Sequence, residues 1–144
     1  MTYLPDVNVW IALAADKHVH HSAARAWFAK VRDERLAFCR ITQLAFLRLL
    51  TNNHVMQEEV MSPSGAWQIY RTLRSDWRVG YLDEPSGLAE NWDEFTDGVL
   101  TSPNLWTDAY LCAFARAAEL TLVTFDSKIP AREGLNCFVL SPSV

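Results

Sequence analysis

The chain first indicates its fold in the segment Tyr3-Leu4-Pro5-Asp6-Val7-Asn8-Val9-Trp10. Its first residues have the apolar character of a short strand, and Asp6, or the residue after it, is suited to cap a helix. The apolar residues of that helix fall on one face, at Val9, Trp10 and Leu13. The segment therefore predicts a strand that passes directly into a helix, with an aspartate at the junction.

Strand-like and helix-like segments alternate through the rest of the sequence. Further helices are predicted at about 21–31, from 41 or 42 to about 50, and at 63–74, 88–95 and 106–119. Further strands are predicted at 36–39, 78–82 and 121–124, and a last strand, at a sheet edge, at 137–140. In the third helix Leu44, Leu47 and Leu50 are expected to point inward. Strands that alternate with helices favour a parallel sheet covered on both faces. We predict an α/β fold, a three-layer α/β/α sandwich with a mainly parallel four- or five-stranded sheet, and one domain over residues 1–144.

Composition narrows the possible functions. The formal net charge of −4 gives no overall basic field, so any RNA contact would need a local group of arginines. The early apolar run from Val7 to Ala15 is shorter than the roughly 20 residues that span a bilayer, and no membrane anchor is expected. Cys39, Cys112 and Cys137 are odd in number and lie in apolar stretches, which is typical of reduced core thiols in a cytosolic protein.

Three aspartates, Asp6, Asp108 and Asp126, lie near the predicted strand and helix junctions. Taken alone, Asp6 is well explained as a helix cap and Asp126 as a turn residue, whereas Asp108 lies on an apolar helical face where a carboxylate needs a partner. The carboxyl ends of parallel strands line one crevice, so we expect the three acids to meet there. Mutual repulsion would then require a proton or a cation. Carboxylates without His or Cys ligands suit Mg²⁺, with Mn²⁺ as a substitute, and indicate phosphodiester hydrolysis.

The chain resembles the PIN-domain family, specifically the VapC-type toxins of toxin–antitoxin pairs. The resemblance spans essentially the whole chain and rests on these segments: Leu4-Pro5-Asp6-Val7-Asn8-Val9-Trp10, His20-His21-Ser22-Ala23-Ala24-Arg25-Ala26-Trp27, Ala45-Phe46-Leu47-Arg48, Thr107-Asp108-Ala109-Tyr110-Leu111 and Thr124-Phe125-Asp126. It implies a PIN-like fold and a metal-dependent endoribonuclease that acts on cellular RNA, often structured RNA such as tRNA. It also implies Asp6, Asp108 and Asp126 as catalytic metal ligands, a homodimer and a cognate VapB-type antitoxin.

One position departs from the family pattern, because Ala45 stands where the motif Glu-x-x-Arg has its glutamate. The change weakens the case for a second metal ion, and Gln43 is one candidate for a polar substitute. Arg48 shares a helical face with position 45, so it could reach a phosphate or an acid, or it could be a surface arginine. Asn8 could bond a carboxylate or satisfy the helix start. Thr107 could cap its helix or place a hydroxyl near the metal.

Two other functions remain open from the sequence. The missing glutamate is compatible with a catalytically weak or inactive PIN-like protein that binds RNA or a protein partner. A phospho-accepting signalling domain also gathers aspartates at strand ends, but Lys128 follows Asp126 too closely to be the lysine that such a domain requires. Several arginines could contact phosphates or be ordinary solvated charges, among them Arg71, Arg74, Arg78 and Arg132.

Overall fold

The computed structural model describes residues 2–99 and 101–142 and contains one sheet of five parallel strands. The strands are β1 (Thr2–Pro5), β2 (Arg35–Phe38), β3 (Val79–Tyr81), β4 (Thr121–Thr124) and β5 (Asn136–Val139). Their order across the sheet is β3-β2-β1-β4-β5, and every neighbouring pair is parallel. Along the chain, β2 and β3 are added on one side of β1, and β4 and β5 are then added on the other side. The strand order therefore reverses between β1 and β4, which is the point where ligands bind in open α/β sheets.

The register of the two central strands decides what meets at that point. Pro5 of β1 is opposite Val123 of β4. The residues that follow, Asp6 and Thr124, are therefore neighbours at the carboxyl edge of the sheet. The backbone N–H of Asp6 donates to the Val123 carbonyl oxygen at 2.8 Å, which continues the pairing by one residue beyond β1.

Helices cover both faces of the sheet. They are α1 (Val7–Ala14), α2 (His21–Lys30), α3 (Arg40–Leu50), α4 (Asn53–Met56), a 3₁₀ turn (Gln57–Glu59), α5 (Pro63–Arg74), α6 (Leu88–Thr96) and α7 (Leu105–Ala117). One hydrophobic cluster joins α1, α2, α3 and α5 to the sheet, and the other joins α6 and α7 to its opposite face. The predicted three-layer α/β/α sandwich is confirmed, and β5 lies at an edge as expected.

One expectation about the core is wrong. Leu44 was expected to point inward, but it is 48% exposed. Helix α3 begins at Arg40, and its buried face runs through Thr42, Phe46 and Leu50, which recur every four residues. Leu44 lies halfway between two members of this series and therefore faces solvent.

The cysteines are also only partly as expected. Cys39 and Cys112 are buried and free, but Cys137 is free and exposed on β5, because that strand at the sheet edge has solvent on its outer side.

None of the helices in the described part of the chain combines the length and the apolar character needed to cross a bilayer.

Candidate active site

A pocket of about 290 Å³ lies at the carboxyl edge of the sheet, where α1 and α3 begin and the first turns of α7 approach β1 and β4. The residues that line it are Asp6, Val7, Asn8, Ile41, Thr42, Ala45, Asn104, Thr107, Asp108, Leu111 and Asp126. The three aspartates singled out in the sequence thus share one pocket. Lys, Arg and His are absent from this set of described lining residues, so the pocket wall carries carboxylates without a compensating cation.

Asp6 joins the end of β1 to the start of α1. Its Oδ1 accepts a hydrogen bond from the Val7 backbone N–H at 2.7 Å, which confirms the expected cap. Its Oδ2 accepts from the Thr124 hydroxyl at 3.2 Å and, at 3.4 Å, from the Asn8 side-chain amide. The carboxylate is therefore a cap and a pocket residue at once, with each oxygen held from a different direction.

Thr124, the fully buried last residue of β4, connects the Asp6 segment to the Asp126 segment. Its hydroxyl donates to Asp6 and accepts from the Asn8 amide at 3.1 Å and from the Asp126 backbone N–H at 3.0 Å. A hydroxyl has one donor and two acceptor sites, and these three hydrogen bonds use all of them. Thr124 was not identified as a site residue from the sequence, although a hydroxyl two residues before a turn aspartate is a recognisable local signal.

The Asp126 turn is held from both sides. The Asn8 side-chain oxygen accepts from the Phe125 backbone N–H at 3.2 Å, and Asp126 Oδ1 accepts from the Lys128 backbone N–H at 2.9 Å. The second bond makes the expected aspartate turn. Asn8 therefore bonds a carboxylate, the first of the two roles that the sequence left open, and its side-chain oxygen ties the start of α1 to the segment after β4.

The charges of the pocket act on one another. Burial, together with the charges of Asp6 and Asp126, raises the pKa of Asp108 from 3.8 to about 6. Burial also raises the pKa of Asp6; the Asp126 charge adds to that rise, and the hydrogen bonds from Val7 and Thr124 oppose it. The amino ends of α1, α3 and α7 face the same edge, and their dipoles offset part of the repulsion. The remaining excess of negative charge favours a proton or a bound cation.

The donor set fits a hydrated hard cation. Across residues 2–99 and 101–142, no three His, Cys, Asp or Glu side chains are arranged so that they could enclose one metal ion. Mg²⁺ is usually held through one or two carboxylates and keeps several of its waters, so it does not need such an enclosure. Carboxylate oxygens that converge on an open pocket meet that requirement, whereas a structural zinc site would need four close ligands.

Position 45 lies at the pocket, as the resemblance to the PIN-domain family implies, but the alanine there supplies no carboxylate. Ala45 lines the wall, and Gln43 does not take its place: the Gln43 side chain is buried and accepts a hydrogen bond from Arg40. Arg48, predicted as a supporting residue, is exposed and lies outside the set of lining residues.

Thr107 lines the pocket, but the expectation that it caps α7 is wrong, because the helix begins two residues earlier with Asn104 at the cap position. Asn104 and Thr42 also line the pocket and were not identified from the sequence. The Thr42 hydroxyl is already bonded to the Cys39 backbone, at 3.0 Å to its nitrogen and 3.1 Å to its oxygen. Asn104 and Thr107 are exposed residues, and the Thr107 hydroxyl donates to the Asn104 backbone oxygen at 3.5 Å.

The sequence model of the PIN domain matches residues 3–135. The chain belongs to the PIN-domain family. It is 38% identical over 143 residues to ribonuclease VapC41 of Mycobacterium tuberculosis (strain H37Rv), covering 96% of this chain and 98% of that relative. Ribonuclease VapC44 of the same strain is 34% identical over 131 residues, covering 90% and 89%. These relatives confirm the predicted kinship of this PIN-domain protein with VapC-type ribonucleases.

Solved structures confirm the PIN-like fold. The Rickettsia felis VapBC2 structure, which was determined with a promoter DNA fragment, matches with a TM-score of 0.69 at 15% identity, covering 98% of this chain and all of that one. Mycobacterium tuberculosis VapC20, described as a toxin that cleaves the sarcin–ricin loop, matches with a TM-score of 0.62 at 19% identity, covering 88% and 92%. At such low identity these likenesses concern the fold alone.

Proposed function

We propose that this PIN-domain protein is a metal-dependent endoribonuclease toxin in which Asp6, Asp108 and Asp126 hold Mg²⁺, directly or through its bound waters, with Mn²⁺ as a substitute. The observation that supports the proposal is the meeting of three carboxylates from distant segments in one pocket. A bound divalent cation would supply an activated water and would stabilise the charge that develops on the phosphoryl group. Under this proposal no side chain of the protein acts as a nucleophile.

The residues around the acids orient them for this task. Thr124 and Asn8 fix Asp6 through its Oδ2, and the Lys128 backbone N–H fixes Asp126 through its Oδ1. Such fixed hydrogen bonds keep the ligands of an ion in place before it binds. Asp108 approaches from α7 on a different part of the pocket wall. The proposed role of the protein is therefore to hold an ion, and the water bound to it, in a fixed position.

Cleavage of purified cellular RNA, with tRNA as a separate substrate, tests the proposal directly. Each reaction contains Mg²⁺ or Mn²⁺, and a parallel reaction contains EDTA. We expect discrete products from the wild type, none with EDTA, and none from Asp108→Asn, which keeps the shape of the side chain but removes its charge. Asp93→Asn, at an exposed carboxylate of α6, is the matched control and should cleave like the wild type. Intact RNA in every reaction would refute the nuclease proposal.

A second candidate function is RNA or protein binding with weak or no cleavage. The observation that favours it is Ala45, which leaves the pocket wall one acid short of the family pattern. Calorimetric titration with Mn²⁺ separates the two functions. Metal binding without RNA turnover would favour the binding protein, whereas metal binding that accompanies turnover would favour the nuclease.

We further propose a cognate VapB-type antitoxin, a homodimer and a cytoplasmic location, with residues 1–144 acting as one PIN-like domain. The antitoxin proposal is supported by structural neighbours that are VapBC assemblies, including one from nontypeable Haemophilus influenzae. Co-expression with the product of the adjacent gene, followed by light scattering of the purified material, tests the antitoxin and the dimer together. A chain that stays monomeric and unaccompanied would contradict both.

A further inference from the structure

The proposed RNA substrate presents an electrostatic difficulty at the pocket. Phosphates must approach three carboxylates, and the described lining residues include no cationic side chain. A single hydrated ion can compensate the charge at the cut bond, but the neighbouring phosphates of an RNA strand need their own positive contacts. Those contacts must therefore come from residues just outside the pocket wall.

Arg40 is placed to provide such a contact. It is the first residue of α3, at the carboxyl edge of the sheet, and it directly precedes Ile41 and Thr42, which both line the pocket. Its guanidinium carbon lies 5.1 Å from the centre of the Tyr81 ring, and its Nη1 donates to Gln43 Oε1. The side chain is exposed but held on two sides.

Both of these partners are neutral, so neither of them compensates the positive charge of Arg40. The ion pairs that join described residues involve other side chains and do not include Arg40. A guanidinium has five N–H donors, and the bond to Gln43 uses one of them. The remaining donors can meet a phosphate in the two-point geometry that arginine favours.

At least one other arginine is committed to the fold. Arg78, a candidate phosphate contact in the sequence analysis, pairs with Asp76 at 2.8 Å and donates to the backbone oxygens of Phe28 and Val31. Its side chain is only 14% exposed. It links the end of α2 to the start of β3, at the amino edge of the sheet and thus opposite the pocket. Arg78 is therefore a structural residue.

We propose that Arg40, held by Tyr81 and Gln43, binds a backbone phosphate of the RNA beside the acidic pocket. The proposal rests on the nuclease function above and extends it to a residue that positions the strand. A phosphate contact of this kind fixes where the strand lies without reading its bases. Tyr81 ends β3, so the strand is expected to extend from the pocket over the β2 and β3 side of the sheet edge.

The test measures binding of a fluorescein-labelled, single-stranded RNA of twelve nucleotides by anisotropy, with Mg²⁺, over a series of NaCl concentrations. The Asp108→Asn protein is the parent, so that the RNA stays intact. Adding Arg40→Gln should weaken binding about three- to fivefold and reduce the slope of log K against log salt by about 0.7. Arg40→Lys should keep the slope because it keeps the charge. Arg32→Gln, at an exposed arginine on the amino side of β2, should change neither quantity.

A structural role alone would not alter the salt slope, and thermal unfolding of each variant checks that the fold is retained. An unchanged slope in Arg40→Gln, or a parent protein that binds no RNA, overturns the inference. A change in molar mass by light scattering without a change in slope would assign Arg40 to a protein interface and also overturn it. Failure of the nuclease proposal gives a different result: the wild type would leave RNA intact while Arg40→Gln still lowered the slope.

Discussion

Replacing Asp108 with asparagine should stabilise the metal-free protein at neutral pH and have little effect at pH 4. The folded state raises the pKa of Asp108 from 3.8 to about 6 through burial and the charges of Asp6 and Asp126. Between these two values the unfolded chain releases the proton while the folded chain keeps it. The stability of the wild type therefore falls as pH rises through this window, and the loss is complete above about pH 6. Asparagine carries no charge and avoids the loss.

The size of the effect follows from the pKa difference. The rise from 3.8 to about 6 sets an upper limit of about 3 kcal/mol, at about 1.4 kcal/mol per unit. The Asp108 side chain is only partly buried, so solvent screening lowers the expected gain to about 1–2 kcal/mol. For a chain of this size, that gain corresponds to a rise in Tm of roughly 3–6 °C.

Thermal and urea unfolding in EDTA, followed by circular dichroism at pH 4, 5, 6 and 7.5, measures this difference. Asp93→Asn on α6 is the control, because its carboxylate is exposed on a solvated helical face. The stability difference between Asp108→Asn and the wild type should grow from pH 4 to pH 7.5, and the control should show no such growth. Repulsion in the pocket would be refuted by a difference that is independent of pH, or by a variant that is less stable than the wild type at pH 7.5.

Three further changes probe the pocket and its support. Ala45→Glu adds a fourth acid to the wall; it should cost about 1 kcal/mol without metal, and calorimetry should detect tighter Mn²⁺ binding. Thr124→Val removes three hydrogen bonds at constant shape; urea unfolding should show a loss of about 1–3 kcal/mol, with RNA cleavage reduced as well. Phe46→Ala empties a fully buried position of α3 and should cost about 3–5 kcal/mol by the same method, whereas Leu44→Ala on the exposed face should cost far less.

Local sequence signals were sufficient for most of the secondary structure. Helix α5 spans Pro63–Arg74, as predicted. Its start could be predicted because the signals for it, the Ser62 cap and the proline at the first helical position, are adjacent in the sequence. Helix α4 was missed, since its four residues, Asn53–Met56, are too few to show a helical period. The inward direction assigned to Leu44 was wrong because apolar spacing gives the period of a helix, while packing against its neighbours decides which face is buried.

The sequence by itself determined the alternating order of strands and helices, the family to which the chain belongs and the three aspartates as candidates for one site. Each of these features can be recognised from a few neighbouring residues or from the order of the motifs along the chain. Only the tertiary structure decided that the Thr124 hydroxyl joins Asp6 to the Asp126 turn, and that Tyr81 holds Arg40 beside the pocket. Thr124 follows Asp6 by 118 residues, and strand register and helix packing bring such distant side chains together, so no local pattern can encode the contacts of Thr124 with Asp6 and of Tyr81 with Arg40.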